Sequence, residues 1–352
     1  MDSTYKASKM KYLGIIFILL FVGCTNSEES ILSLKEDITF IKKFPEEMSL
    51  DFKKLIDYPN GTILKLSESD TGFYMLDIKA KNNHIIHFYS KKENDFKKEL
   101  IRKGNGPFES FAPYSIDFRM KKILLSDFEM RKIIEIDLEN FEANSSEIKL
   151  ENYYNEVKFY NDSTYIATSS SSSKEKFYFI NKKNGRIEYT KGEFQNIPRG
   201  IDISQIPDLF QSILGVNLKR NKALNAYRWM DIIEIFDLNT NKSKFIKSPK
   251  NIENKLITGI NGELALERGG AARECFVDVT YSDNYIYALF SGNEDKTQGA
   301  YLSDIIYMFD WNGIPIKQIN IDRKIMSISV NTDDKRIYSF DIDTGEVIYI
   351  TL

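Results

Sequence analysis

One pattern recurs along this chain and restricts its fold more than any other. A short run of β-branched and aromatic residues ends in Asp or Asn and passes into a turn. It occurs as KIIEIDLEN (132–140), FYFINKKNG (177–185), IIEIFDLNT (232–240), IIYMFDWNG (305–313) and RIYSFDIDTG (336–345), with a weaker first copy, HIIHFYSKK (84–92). Such residues suit pleated, half-buried strands, while Asp, Asn and Gly take the dihedrals of tight turns. A second run precedes most copies: GFYMLDI (72–78), KILLSDF (122–128), TYIATSS (164–170), NAYRWMD (225–231) and NYIYALFSG (284–292). In the last unit KRIYSFD takes that place itself and EVIYITL (346–352) follows. With Phe73, Ile123, Tyr165, Tyr227, Ile286 and Ile337 as markers, the units are spaced 50, 42, 62, 59 and 51 residues apart. Six comparable antiparallel units predict an all-β, six-bladed β-propeller over residues 36–352. An irregular sandwich or two separate β domains would not require six such units.

A propeller also accounts for the ends. The chain stops at Leu352 inside a predicted strand, so the last blade lacks its outer strand. The segment DITFIKKF (37–44) is β-like, and pairing it against EVIYITL would close the ring and remove two exposed strand edges. Between the third and fourth units, SQIPDLFQSILG (204–215) reads as a short amphipathic helix with Ser204 as N-cap. The run SSSSS (169–173) reads as a blade-edge loop. No stretch is rich enough in Pro, Gly or Ser to divide the chain into two domains.

Ahead of the repeats lies LGIIFILLFVGC (13–24). Its apolar part, Leu13 to Gly23, is eleven residues long, about half of what a membrane-crossing helix needs. Lys6, Lys9 and Lys11 precede it, and small Gly23 stands before Cys24. A basic start, a short apolar run and a small-residue exit describe an export signal. Phe21-Val22-Gly23-Cys24 resembles a bacterial lipobox, which implies a signal peptide over 1–23, lipidation of Cys24 and a tether over 24–35. An ordinary signal peptide and an uncleaved anchor are the alternatives. Met10 opens a more typical start for such a segment than Met1, and both starts stay open. Thr25-Asn26-Ser27-Glu28-Glu29 resembles the acidic stretch that follows the lipidated cysteine of surface-exported Bacteroidota lipoproteins; a plain solvated tether fits as well. The expected location is the outer membrane, facing the periplasm or the cell surface, with the lipid anchor as membrane partner.

Several function classes are excluded or weakened by counting. The formal net charge is −3 and the lysines are interspersed with acids, which is not the electrostatic footprint of a nucleic-acid binder. With Cys24 acylated only Cys275 remains, so no internal disulfide is available, and a lone cysteine beside Phe276 and Val277 reads as a small buried hydrophobe. His84 and His87 are the only histidines. Three apart on a strand, they face opposite sides and cannot share a metal. No Gly-x-Ser-x-Gly elbow and no Asp-x-Asp-x-Asp-Gly loop occurs, so Asp137, Asp237, Asp310 and Asp341 read as turn residues. No metal, cofactor or catalytic residue is predicted. Asp162-Ser163-Thr164 resembles a Bacteroidota O-glycosylation pattern, of which about one chance match is expected in a chain of this size.

The loop RKGNGPFES (102–110) is more specific. A strand rather than a helix is predicted after it, which argues against a phosphate cradle. It resembles the Gly-x-Gly-Pro-Gly-Glu turn of TolB-like six-bladed propeller lipoproteins of Bacteroidota: Gly104, Gly106, Pro107 and Glu109 match, and Phe108 stands where the third glycine would be. NAYRWMDIIEIFDL and YIYALFSG…SDIIYMFDWNGIPIKQINID extend the likeness over roughly 35–352. The resemblance implies a six-bladed propeller on an outer-membrane lipid anchor and transfers no catalytic residues.

The candidate ligand-binding residues are Arg228, Trp229, Arg268 and Arg273, cations and an indole in loops that can converge on one propeller mouth. Guanidinium groups pair with carboxylates, and indoles stack on cations and ring-shaped ligands. The competing reading is that Arg228 pairs across blades and Trp229 fills core. Two functions follow. The first is a non-catalytic binding or scaffolding module for envelope proteins or glycans. The second is a propeller enzyme, a glycan lyase or hydrolase, which requires Arg228, Arg268 and Arg273 to meet an acid or a tyrosine in one deep pocket of the central funnel.

Overall fold

A computed structural model describes residues 38–352 apart from 120, 140–144, 169–172, 196 and 259–263. The signal segment, Cys24, the tether and most of the serine run therefore lie outside the described residues. The rest forms six sheets arranged as a six-bladed propeller. Blade 1 comprises Ile63–Glu68, Gly72–Asp77, His84–Ser90 and Asp95–Arg102. Blade 2 comprises Pro113–Arg119, Lys122–Asp127, Lys132–Asp137 and Ser146–Lys149; blade 3 comprises Glu156–Phe159, Thr164–Thr168, Glu175–Asn181 and Ile187–Glu193. Blade 4 is built from Ser212–Asn217, Lys222–Tyr227, Ile232–Asp237 and Lys242–Lys247, and blade 5 from Phe276–Tyr281, Tyr285–Phe290, Ser303–Asp310 and Pro315–Ile325. Blade 6 takes Ser329–Val330, Arg336–Asp341 and Glu346–Thr351 from the end of the chain and its outer strand, Lys53–Asp57, from the beginning.

All six marker residues fall on the second strand of their blades, where side chains on both faces are buried. This explains why the runs read as continuous apolar stretches: each middle strand packs against a neighbouring blade on either side. The repeated acids take their predicted turn role. Asp237 Oδ1 accepts from the backbone N–H of Asn239 and Thr240 (both 2.9 Å), Asp310 Oδ1 from Asn312 and Ile314 (both 2.8 Å), and Asp341 Oδ1 from Asp343 (2.9 Å).

The ring closes with an N-terminal strand, but not with the segment 37–44. Lys53–Asp57 pairs antiparallel with Glu346–Thr351. Ile38–Phe40 instead adds a fifth, parallel strand to the outer edge of blade 4, and Glu46–Leu50 does the same for blade 5. Residues 38–57 thus form a strap over three consecutive blades. The physical reason lies in the linker: Ile41 and Phe44 are buried between blades 4 and 5, Phe44 stacking on Tyr307 (4.9 Å, 13°) and meeting Phe309 edge-on (5.5 Å). This fixes the strap early, so the next turns of chain reach blade 6.

The insertion 204–215 is not one helix either. A 3-10 turn, Ile203–Gln205, capped by Asp202 rather than Ser204, leads into the single turn Ile206–Leu209. From Ser212 the chain is already the innermost strand of blade 4. The apolar pattern Leu209, Phe210, Ile213, Leu214 straddled two elements. An unforeseen hairpin, Leu256–Thr258 with Leu264–Leu266, sits in the connection between blades 4 and 5 and shares a core with this insertion through Phe194, Ile206, Phe210 and Leu256.

Candidate functional site

The innermost strands of all six blades line a central cavity of about 680 Å³. Its walls carry charges, and those charges are spent on one another. Lys65 of blade 1 donates to Asp278 Oδ2 of blade 5 (2.5 Å) and to the Ile328 carbonyl at the entry to blade 6 (3.2 Å). Arg119 of blade 2 reaches across the ring, donating to the Val216 carbonyl of blade 4 (3.0 Å) and to the Tyr281 hydroxyl of blade 5 (2.8 Å). Lys158 donates to the Ile116 carbonyl (2.8 Å) and pairs with Glu156 (2.9 Å), which also accepts from Ser115 Oγ (2.8 Å). Burial alone would lower the Lys158 ammonium, but the Glu156 and Asp117 carboxylates hold it above its ordinary value, so it stays charged. These side chains brace the cavity internally.

One end of the cavity is formed by the starts of the innermost strands, and there three of the four predicted residues, Arg228, Trp229 and Arg268, gather. Tyr227 ends the second strand of blade 4, and Arg228 begins the turn. Its backbone is pinned from two sides: its N–H donates to the Gln211 carbonyl (2.9 Å), and its own carbonyl accepts from Cys275 N–H (2.7 Å). The Arg228 guanidinium forms a two-pronged bond with buried Glu274 at the start of blade 5 (Nε to Oε2 3.0 Å, Nη2 to Oε1 2.8 Å). Trp229 is fully buried and donates from Nε1 to Gln211 Oε1 (3.2 Å). The guanidiniums of Arg228 and Arg268 lie 5.2 and 5.1 Å from its ring. Arg273 is elsewhere, tied to the Gly292 carbonyl (2.9 Å) and Glu294 (3.2 Å). Of the three arginines only Arg228 lines the cavity.

The structure adds residues that the sequence did not single out. Tyr114, Phe128 and Tyr153 form a run of touching rings, with centroids 5.6 and 5.0 Å apart. Tyr114 belongs to the innermost strand of blade 2 and lines the mouth; its hydroxyl accepts from Gln211 Nε2 (2.8 Å). The rings lead outward from there, and Tyr114 (42%), Tyr153 (40%) and neighbouring Phe111 (51%) are exposed. Arg131 lies 5.3 Å from the Tyr153 ring. These residues come from one strand and two connections spread over some forty positions, so no local motif could have signalled them.

The glycine-rich loop is a crossover turn between blades 1 and 2. Glu109 folds back to accept from Gly106 N–H (2.8 Å), filling the space where a Gly104 Cβ would lie 2.2 Å from its carboxylate. Cys275 is buried and free, and burial pushes its thiol well above the ordinary range. His87 is buried with Nε2 2.8 Å from the His84 carbonyl. Among the described residues no three His, Cys, Asp or Glu side chains are grouped to hold a metal, and no helix is long and apolar enough to cross a membrane.

A family model, TolB-like 6-blade propeller-like, matches residues 39–333. A crystal structure of a DUF4221 family member from Bacteroides vulgatus ATCC 8482 is similar in fold: 11% identity, TM-score 0.54, covering 86% of this chain and 97% of that one. So is a protein described as exported from Bacteroides fragilis NCTC 9343: 12% identity, TM-score 0.54, covering 89% and 99%. No curated protein matches the chain in sequence.

Proposed function

Because this chain belongs to the TolB-like six-bladed propeller family, we propose that it is a lipid-anchored, non-catalytic binding or scaffolding module of a Bacteroidota cell envelope. Its ligand sits at the Tyr114–Arg228 mouth of the propeller. The anchor is Cys24 in the outer membrane, and the reading rests there on the basic start, short apolar run and Phe21-Val22-Gly23-Cys24 exit. The Bacteroides origin of two fold relatives agrees with it.

The observation that carries the binding reading is the division of labour in the cavity. The inner cations Lys65, Arg119 and Lys158 are engaged with carboxylates and carbonyls across blades. The mouth, by contrast, presents exposed aromatic and forked polar groups set by rigid blades, the composition of recognition sites. The glycan lyase or hydrolase alternative needed three arginines converging with an acid or a tyrosine. Arg273 is latched to Glu294 and Arg268 lies over Trp229.

Two measurements test this. Radiolabelled palmitate should enter the full chain and not its Cys24→Ala variant; equal labelling removes the anchor. A photo-crosslinking residue placed at Tyr114 should capture an envelope component in intact cells, whereas one at Ile187, on the outer edge of blade 3, should not. Equal capture at both positions, or turnover of an envelope polysaccharide abolished by Arg228→Ala, overturns the binding reading.

A further inference from the structure

The ring-lined approach to the mouth has a chemistry of its own. Building on the binding reading above, the geometry points to an oligosaccharide as the ligand, its sugar rings laid along Tyr114, Phe128 and Tyr153 and its hydroxyls bonded at the mouth.

Three observations lead there. The first is the shape of the patch. Folded monomers seldom expose contiguous aromatic surface, and a run of rings offers successive stacking planes instead of one deep apolar socket. The second is its rigidity. Asp127 Oδ2 accepts from the N–H groups of Phe111 (2.6 Å) and Ala112 (3.1 Å), Phe128 N–H donates to the Ala112 carbonyl (3.1 Å), and Gln211 holds the Tyr114 hydroxyl. A platform fixed before binding loses little entropy when a stiff, polyhydroxylated chain lands on it.

The third is the character of the polar groups. Arg228 spends two of its five N–H donors on Glu274, leaving three; Glu156 and Lys158 neutralise each other just inside. What the mouth offers is therefore a set of neighbouring donors and acceptors, with Arg131 over Tyr153 and Arg268 over Trp229 but no converging field of cations. A nucleic acid or other polyanion would need that field. A peptide added as a strand would need a free run of backbone groups, and the innermost strands, though each is a sheet edge, have theirs partly taken by side chains of the neighbouring blade: Val157 N–H by Ser115 Oγ (3.1 Å), Phe159 N–H by Asp117 Oδ2 (3.0 Å) and Val330 N–H by Thr280 Oγ1 (3.1 Å). A ligand with apolar ring faces and hydroxyls of both donor and acceptor type matches all three features.

The test is calorimetric titration of the detergent-solubilised full chain with four probes: hexasaccharides of β-1,4-glucan, chitin and α-mannan, and an acidic hexauronate. At least one should bind, and Tyr153→Ala should weaken it about tenfold or more, the loss of one stacked ring. Tyr153→Phe should restore most of the affinity, and Ile187→Ala should leave it unchanged. If Tyr153→Ala melts early, Tyr153→His, which keeps a planar ring, serves as the second variant and should bind better than Tyr153→Leu of equal stability. Failure of all four probes, or binding indifferent to the Tyr153 series, overturns the sugar assignment. If the Tyr114 crosslinker then captures a protein, the binding reading stands without it; if it captures nothing, both fall.

Discussion

The outer edges of blades 4, 5 and 6 carry the N-terminal strap, whereas those of blades 1, 2 and 3 end on their own fourth strands. The junctions beneath differ accordingly. Between blades 4 and 5 the strap inserts Ile41 and Phe44 among Leu224, Ile233, Ile246 and Tyr307. Between blades 5 and 6 the packing is again apolar, with Phe52 against Ile319, Ile337 and Ile348. Two of the unstrapped junctions add buried ions to their apolar cores. Lys176 of blade 3 pairs with Glu234 of blade 4 (2.6 Å), and Glu234 also accepts from Tyr227 Oη (2.5 Å). Glu135 of blade 2 accepts from Tyr165 Oη of blade 3 (2.7 Å) and pairs with Lys122 (2.6 Å). One half of the ring is clamped from outside by chain and apolar surface. The other adds hydrogen-bonded charge to its apolar cores, and that charge contributes orientation more than net stability.

The largest effect should come from the strap. Deleting 38–57 strips blade 6 of its fourth strand and exposes the apolar edge of blade 5, and the expected outcome is loss of cooperative folding, read by differential scanning calorimetry. Phe44→Ala, which keeps the strap but empties its wedge, should cost about 3–5 kcal/mol in urea unfolding. Ile187→Ala on the bare edge of blade 3 should cost less than about 0.5 kcal/mol. Similar values for the two would erase the distinction between halves.

Removing one partner of the buried pair should approach the strap mutants in size. Lys176→Met leaves the Glu234 carboxylate uncompensated and should cost about 3 kcal/mol or more. Burial by itself would raise Glu234, yet Lys176 holds its carboxyl below the ordinary range, so the partner it would lose is the one keeping it charged. Adding Glu234→Leu should recover most of the loss. A double variant no better than the single one would mean that the charges stabilise outright and that the two halves are held more alike than argued.

One buried acid of the strapped half, Asp231, responds to pH in the opposite sense. Asp231 accepts from Ser248 Oγ (2.9 Å) and Ile252 N–H (3.0 Å), fixing the chain as it leaves blade 4 for the mouth hairpin. Burial raises its carboxyl from 3.8 to about 6. In the folded state it therefore holds a proton that the unfolded chain has already released between these values. Its contribution is fully present below pH 4 and is lost as pH rises through 6, about 3 kcal/mol in all. The stability difference between the parent and Asp231→Asn should accordingly change over pH 4–6 and be flat above 7. A flat difference throughout would show that these bonds, with the one from Ser248 N–H (3.2 Å), offset the burial.

How much of this could be read in advance follows from what each feature depends on. The six blades were legible because every second strand is buried on both faces, which leaves runs such as KILLSD and YIYALF that need no partner to be recognised. Closure by the N-terminal region was legible from the missing outer strand, but the choice between 37–44 and 53–57 was not. Both are short β-like segments, and only the Phe44 wedge decides between them. At the mouth, Arg228 and Trp229 are adjacent in sequence and were found together; their partners Glu274 and Gln211 lie 46 and 18 positions away. Tyr114, Phe128 and Tyr153 meet only because the start of one strand and two connections lie on the same side of the ring.

A small effect of opposite sign concerns the junction between blades 1 and 2, which has no strap and, among the described residues, no inter-blade ion pair like Lys176–Glu234. Its blades share an apolar core that includes Leu76, Ile86, Ile116 and Ile134, and the loop 102–110 ties them together beyond it. Lys132 donates to the Gly106 carbonyl (2.9 Å) and Glu147 (3.1 Å), and Phe108 N–H donates to the same Glu147 (2.7 Å). Phe108 occupies a left-handed backbone conformation, φ +53°, at the position where the related motif carries glycine. A side chain there costs about 1 kcal/mol relative to glycine, and its ring is 44% exposed, so little packing offsets it. Phe108→Gly should therefore raise stability by up to about 1 kcal/mol, less the extra entropy of the unfolded glycine. Had the ring been the fastening of this junction, the substitution would destabilise instead, by an amount nearer that of Phe44→Ala. The sign of the change thus separates a junction held through its backbone and Glu147 from one held, like the strapped half, by an inserted aromatic.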